Sequence, residues 1–352
     1  ILSGAEDLVP VLVDVDGDLL PHHESRTAFG QIYTVRRYRP RVEGLFARIE
    51  HWSNDADASD TCWRSISRDN VTTWYGRTAE SRIFDPGNPR RVFGWLICET
   101  HDDKGQVASY GYKAEDSAGI DPAALHERQR TPSSRTAARY LKRVRYGNRA
   151  PYFPDLLEAP RTALPTDWCF ELVFDYGEHD AVEPLPVQDS HLWGVREDPF
   201  SIYRAGFEVR QYRLCRRVLM FHHFAGEAEV GADCLVRSTD FSYSSATDPA
   251  DPRSPIHTFL LSATQAGYRR RSGGGYTRRD MPAVEFEYSQ AIIDPQIREV
   301  DPASLANLPQ GVDAAYQWLD LDGEGISGIL VEERGAWYYK RNESPAGGTQ
   351  LA

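Results

Sequence analysis

Hydrophobic and polar positions alternate with a period of two along most of the chain, in short runs separated by turn chemistry. The clearest runs are QIYTVRRY (31–38), GLFARIEHW (44–52), RVFGWLICET (91–100), QVASYGYKA (106–114) and WCFELVFDYG (168–177). GFEVRQYRLCRRVLMFHHF (206–224), CLVRSTDFSYS (234–244), TFLLSATQAGYRR (258–270) and AVEFEYS (283–289) continue the series. Within 206–224, Phe207, Val209 and Gln211 fall on one side and Glu208, Arg210 and Tyr212 on the other, which predicts a strand with one wetter face. Turns are marked by DPGNP (85–89), DDKG (102–105), DPADPRSP (248–255) and SGGG (272–275). Helical signals are few. DPAALHERQ (121–129) sets Pro just inside an Asp cap and predicts two turns of helix, and DPASLANLP (301–309) starts the same way before Pro309 stops it. The pattern predicts a mainly β, antiparallel fold with many strands.

A loose internal echo runs through the series. ICETHDDKGQVASYGYKAED reads strand, Asp-Lys-Gly turn, strand, and YLKRVRYGN (140–148) and FLLSATQAGY (259–268) again end a strand at Tyr and Gly. This is similar to the tyrosine–aspartate strand repeats of Rhs-type shell proteins, in which each repeat is a hairpin and neighbours stack into a spiral sheet. The series breaks at DPASLANLPQGVDAAY (301–316). Residues 1–300 therefore read as one β-rich domain, 301–315 as a linker and 316–352 as a separate unit. That unit runs strand, Asp/Gly loop, strand, turn at Arg334–Gly335, strand, the outline of part of a β-propeller blade. A lone partial blade cannot bury its apolar face, so further blades are expected in a longer parent chain.

Composition narrows the class. The chain has 352 residues and 41% apolar content, and its 8 Trp, 18 Tyr and 14 Phe are enough for a real buried core. With 40 basic and 52 acidic residues the net charge is −12, which argues against a nucleic-acid phosphate backbone as main partner. Lys occurs only at Lys104, Lys113, Lys142 and Lys340, so the other basic residues are Arg. Genomic base composition is the first explanation; the second is the planar guanidinium, which bridges carboxylates and stacks on aromatics. No run approaches the ~20 apolar residues of a membrane-spanning helix. ILSGAEDLVPVLVDVDGD lacks the basic start of a signal peptide. With Ile1 first and Met only at 220 and 281, the chain reads as a processed product or a piece of a longer protein. Five scattered cysteines, at 62, 98, 169, 215 and 234, show no zinc-type spacing and are expected as free buried thiols.

Three constellations invite chemistry. DLDGEGISG (320–328) is similar to the calcium loop of FG-GAP or VCBS propeller repeats, with Asp320, Asp322 and Glu324 at its first, third and fifth places and Gly325 at the turn. Gly328 stands where those loops usually carry an acid, which leaves Asp320, Asp322 and Glu324 as a candidate metal set with a structural turn as the alternative. DVDGD (14–18) has similar acids but Leu19 in place of the turn glycine, and predicts a plain hairpin. RSTD (237–240) followed by EFE (285–287) imitates the Arg, Ser-Thr-Ser and Glu-x-Glu order of ADP-ribosylating toxins. Asp240 replaces the final Ser, however, and Glu285 and Glu287 fit a solvated strand face equally well. His222 and His223 should point to opposite faces. Neither they nor His22 and His23 have a ligand partner at metal spacing. SGGGYTRR (272–279) lies between strands and reads as a hairpin tip rather than a phosphate cradle. No catalytic and no cofactor-binding residue is assigned.

Long blocks in a fixed order carry a wider resemblance: RYRPRVEGLFARIEHW (37–52), WRSISRDNVTTWYG (63–76), YLKRVRYGNRAPYFPDL (140–156), FELVFDYGEHD (170–180) and DPFSIYRAGFEVRQYRLCRRVLMFHHF (198–224). LVRSTDFSY (235–243) and YQWLDLDGEGISGILVEERGAWYYKRN (316–342) extend it. From about residue 10 to 345 the chain resembles the SpvB/TcaC family. This family takes in the amino-terminal region of a Salmonella virulence plasmid protein and the B component of insecticidal toxin complexes. The resemblance implies a Rhs-like β-sheet shell leading into a propeller, partnered by a Rhs-repeat C component and a pore-forming A component. It implies a non-enzymatic role in enclosing and delivering a cytotoxic polypeptide, outside the bacterial cell. A second implied reading is the export or interaction region of an actin ADP-ribosyltransferase whose catalytic domain lies outside these residues. An unrelated secreted β-rich enzyme, such as a glycan hydrolase, is a third.

Overall fold

The computed structural model describes residues 7–44, 46–187, 191–244, 257–288, 296–297, 302, 306, 316–323 and 326–343. The chain divides into two compact units, 1–290 and 291–352. The expected linker, 301–315, lies outside the described residues except for Pro302 and Ala306.

Among the described residues, twenty-four strands and two short 3-10 turns make up the regular structure. The first eight strands are β1 (Leu8–Pro10), β2 (Leu12–Val15), β3 (Asp18–Pro21), β4 (His23–Ala28), β5 (Gln31–Pro40), β6 (Arg48–Asn54), β7 (Thr61–Ile66) and β8 (Thr72–Tyr75). Then follow β9 (Arg82–Asp85), β10 (Asn88–Trp95), β11 (Ile97–His101), β12 (Val107–Ala114), β13 (Arg139–Asn148), β14 (Trp168–Asp175), β15 (Phe200–Ile202) and β16 (Val209–Gln211). The last eight are β17 (Arg217–Phe224), β18 (Gly231–Tyr243), β19 (Leu260–Arg270), β20 (Tyr276–Asp280), β21 (Val284–Glu285), β22 (Tyr316–Leu319), β23 (Gly328–Glu333) and β24 (Ala336–Lys340).

Fifteen of these strands form one antiparallel sheet in the order β1-β5-β6-β7-β8-β11-β12-β13-β14-β17-β18-β19-β20, with β4 also on β5 and β21 also on β19. Most neighbours in the sheet are also neighbours along the chain, as hairpin-built sheets require. Burial alternates through the middle of β14 and β17. Across the middle strands Val173 lies opposite Leu219 and Phe221 opposite Leu235, and these four side chains form one buried cluster. Ala28, Val35, Trp52, Cys62 and Trp74 form another, with Leu156 packed against it. Tyr152, Val107 and Trp168 form a third, with Leu164 packed on them. Trp193 and Val209 join Tyr140 and Tyr176 in a fourth. The long connections 149–167 and 176–216 thus supply side chains that cover the sheet.

Several expectations are corrected. RVFGWLICET is not one strand: it breaks at Leu96, whose carbonyl accepts the Gly76 N–H at 2.8 Å and whose N–H donates to Ser81 at 2.8 Å. Its two halves lie in different sheets. The run 206–224 also divides, into β16 and β17, and its supposedly wet side is dry. Arg210 and Tyr212 are buried, because Glu127 accepts from Arg210 Nε at 2.9 Å and from the Tyr212 hydroxyl at 2.7 Å. DPAALHERQ forms successive tight turns and no α-helix. Asp121 caps the first turn by accepting the Ala123 N–H at 2.9 Å, and the buried anchor at Glu127 then sets the path. AVEFEYS contributes only the two-residue β21.

Other readings stand. DVDGD is a hairpin turn with Asp16 and Gly17 at φ +56° and +92°, and Asp14 accepts the Gly17 N–H at 2.9 Å. SGGG is the tip between β19 and β20. DPADPRSP lies outside the described residues. All five cysteines are free, Cys62 and Cys234 buried and the other three half-buried.

In the second unit β22, β23 and β24 form a three-stranded antiparallel meander, as the pattern of 316–342 predicts. Arg334 and Gly335 make its tight turn at φ +54° and +76°.

Candidate functional site

The candidate metal loop joins β22 to β23. Asp320 turns a carboxylate oxygen back on its own loop and accepts the Gly323 N–H at 2.8 Å, with Gly323 in the left-handed region at φ +72°. Asp322 faces Arg341 at 3.4 Å. Glu324 lies outside the described residues. Gly328, the departure from the calcium pattern, has a packing reason: a Cβ there would stand 2.5 Å from the Lys340 carbonyl oxygen and 2.5 Å from the Tyr339 hydroxyl. An acidic side chain at that place would drive β23 off β24. Among the described residues no group of three or more His, Cys, Asp or Glu side chains is arranged to hold a metal.

The toxin-like acids are not brought together either. Ser238 lies opposite Ala266 on one side of β19, and Glu285 lies opposite Ser262 on the other. Two strand spacings across and four residues along put them roughly 16 Å apart. Ser238 is buried, with its hydroxyl 3.0 Å from that of Tyr268, and Asp240 pairs with Arg278 at 2.7 Å. Glu285 and Glu287 are exposed.

What the fold assembles instead is a series of buried carboxylates on Arg. Glu50 is fully buried and accepts from Arg64 and from the Trp52 indole at 3.0 Å. Glu99 receives Arg161 and His101. Glu115 receives Arg213, whose guanidinium also lies 4.1 Å over the Trp193 ring. Glu127 takes Arg135 and Arg210, and Asp175 takes Arg217 at 2.6 Å. Burial pulls the Glu50 carboxyl upward, but Arg64, Arg48, the Trp52 hydrogen bond and Arg26 outweigh it and hold the group below the ordinary carboxylate range. The planar fork reading of the arginines therefore has structural content, because each buried acid needs more than one donor.

One of these acids opens on a cavity. Glu171 on β14 is nearly buried, with Arg143 at 2.8 Å and Arg145 at 3.2 Å. His223 on β17 adds a third partner, its Nε2 3.2 Å from Glu171 Oε2, and turns its Nδ1 to Asp233 at 2.9 Å. Arg145, Glu171, His223 and Asp233 edge a cleft of about 820 Å³, walled also by Arg149, Asp167, Trp168 and Phe224. Hydrogen bonding to Glu171 raises the His223 pKa above the ordinary histidine value against the pull of burial, with Asp233 adding to the rise. His222 points to the opposite face, as alternation predicts, between the Phe170 and Phe224 rings, and burial lowers its pKa. Sequence reasoning missed the Glu171–His223–Asp233 group. The only available signal is parity: Glu171 lies opposite Phe221, so His223 shares the face of Glu171, but that register cannot be read before the strands are paired.

The family model described as "Salmonella virulence plasmid 65kDa B protein" (SpvB) matches residues 1–224. The chain belongs to the SpvB family. It is 37% identical over 253 residues to the mono(ADP-ribosyl)transferase SpvB of Salmonella typhimurium strain 14028s, a match that covers 71% of this chain. The same match covers 40% of that protein, so the chain spans well under half the length of the curated SpvB relatives. The solved N-terminal domain of the effector SpvB from strain LT2 superposes with a TM-score of 0.63 at 36% identity, over 75% of this chain and 79% of that domain. The part of SpvB that this chain resembles is therefore its N-terminal domain. A TcdB2–TccC3 crystal structure superposes with a TM-score of 0.69 at 28% identity, over 96% of this chain and 15% of the matched chain. The Photorhabdus luminescens Tc holotoxin pore matches at 0.67 and 28%, over 92% of this chain and 15% of that one. No helix among the described residues is long and apolar enough to cross a membrane.

Proposed function

We propose that this chain is a non-enzymatic structural and delivery module of a bacterial toxin complex. In this reading the 15-stranded sheet is a segment of a shell wall that encloses a cytotoxic polypeptide, and the meander at 316–343 starts a β-propeller. The partners are a Rhs-repeat C component and a pore-forming A component, and the assembly works outside the bacterial cell. The observation that carries the reading is the match of 96% of the chain to a chain of a TcdB2–TccC3 complex, which must take in part of residues 291–352, beyond the sheet unit. The separation of Ser238 from Glu285 supports a chain without transferase chemistry of its own. The test is co-expression of the parent gene product with the Rhs-repeat C component of the same genome. A single stable complex that shields the C component's terminal segment from protease is expected; separate species and an unshielded segment would overturn the proposal.

The higher identity to SpvB, 37% against 28%, favours a second reading, the export or interaction region of an actin ADP-ribosyltransferase. Transfer of label from NAD to actin by the parent protein, with no complex formed, would select it.

A further inference from the structure

His223 lines the cleft near the end of β17, where the chain turns into the 225–230 connection and returns as β18. One ring nitrogen faces Glu171 on β14 and the other faces Asp233 on β18. A neutral imidazole has a single N–H, and an imidazolium has two. Two carboxylates, one at each nitrogen, are both satisfied only by the protonated ring. The charged ring therefore joins three successive strands of the sheet, β14, β17 and β18, through side chains alone.

The surroundings decide which contact gives way when the proton leaves. From β13, Arg143 and Arg145 both pair with Glu171, so that carboxylate stays ionised and anchored whatever the ring does. From the connection after β13, Arg149 pairs with Asp167 at 3.0 Å and also donates to the His223 carbonyl. Glu227 in the 225–230 connection completes the charged lining, and the 185–187 wall is apolar. The Asp233 carboxylate is the looser partner: its side chain is 53% exposed, and its backbone is left-handed at φ +54°, a conformation that a non-glycine residue adopts at a cost. Its backbone is held separately, by Arg270 of β19, which donates to the Ala232 and Asp233 carbonyls at 2.9 and 3.1 Å. A neutral ring that keeps its proton toward Glu171 presents a lone pair to Asp233.

We infer that His223 is a protonation-dependent latch: the imidazolium ties the Asp233 side chain of β18 to Glu171 of β14 along the cleft wall, and its deprotonation frees that side chain and loosens the 225–230 connection at that wall. Because the folded ring holds its proton more tightly than the unfolded one, the latch contributes fully below the unfolded value, about 6.5. The contribution is lost as pH rises through the elevated folded value. The latch thus closes at lower pH and opens as pH rises through that elevated value, whether or not the chain is a shell wall.

Hydrogen exchange of the full chain between pH 6 and 9, corrected for intrinsic exchange, tests this. Wild type is expected to lose protection several-fold at 224–235 as pH rises, with strands β6–β8 unchanged. His223→Gln should be poorly protected there at every pH. Asp233→Asn, at an exposed position that spares the fold, should move the transition to lower pH. Nitrogen-15 NMR at pH 6 should show both ring nitrogens of His223 protonated. A wild-type profile that His223→Gln reproduces, or a singly protonated ring at pH 6, would overturn the inference.

Discussion

Residues first. The chain buries Glu50, Glu99, Glu115, Glu127 and Glu171, residue types that are almost never fully buried unless paired. Each is surrounded by donors, and the cost of removing the acid is the cost of leaving guanidiniums stranded. Glu50→Ala would leave Arg64 with its side chain 8% exposed and without the carboxylate it touches at 2.7 Å. The expected loss is about 3–5 kcal/mol of unfolding free energy by urea titration, with Glu50→Gln also destabilising because the charge is gone. The same pairs set the acid limit. Glu50, Glu171 and Asp175 are all held below their ordinary values, their cationic and hydrogen-bond partners outweighing burial. A depressed carboxylate stabilises fully above its unfolded value, near 4, and the gain is lost as pH falls through the folded value. Burial lowers His51 and His101 to about 4, so they resist the protons that the unfolded chain takes up below about 6.5. Urea midpoints should therefore fall from about pH 6.5 downward, and most steeply below about pH 4. A level profile down to pH 3 would contradict the pairing.

At the scale of elements, turn chemistry explains why so much strand structure was legible. Asp16–Gly17, Arg334–Gly335 and SGGG mark hairpins by backbone conformation alone. The strands misread as single runs fail for another reason. Alternation continues through Leu96 and through residues 212–216, yet tertiary hydrogen bonds redirect the chain there. The β22–β23 loop turns on Gly328, whose missing Cβ admits the β24 backbone. Gly328→Ala should destabilise the second unit by about 1–3 kcal/mol, seen as lost protection of β23 and β24 with the 15-stranded sheet unaffected. With Asp320 committed to the Gly323 N–H, the loop is expected to act as a structural turn. Millimolar calcium and EDTA should leave the melting temperature of the chain unchanged; a calcium-dependent rise abolished by Asp320→Asn would instead assign Asp320, Asp322 and Glu324 as ligands.

For the whole molecule, the length of the sheet is the informative quantity. Fifteen strands in one antiparallel sheet exceed what an open twisted sheet usually reaches without curling or splitting. The transferase-like residues are held roughly 16 Å apart by an intervening strand, so this chain with labelled NAD should leave actin unmodified. Labelling that Glu287→Gln abolishes would defeat that expectation.

The amino-acid sequence alone determined what depends on local order: the period-two strands, the hairpin turns, the three-stranded pattern of 316–342 and membership of the SpvB family. Local rules suffice there because each signal lies within a few neighbouring residues. Only the tertiary structure decided which sheet face is dry and which charges meet. In β14 it buries Glu171 and Asp175 beside Val173 and leaves Phe170, Leu172 and Phe174 half-buried, so the two acids lie drier than the three apolar side chains across the strand from them. The physical reason is that a buried acid is tolerable only beside its donors, and those come from strands and loops tens of residues away. Glu127 meets Arg210 across 83 positions, and Glu115 meets Arg213 across 98. No local pattern encodes such a pairing; strand register and the return of the covering loops create it.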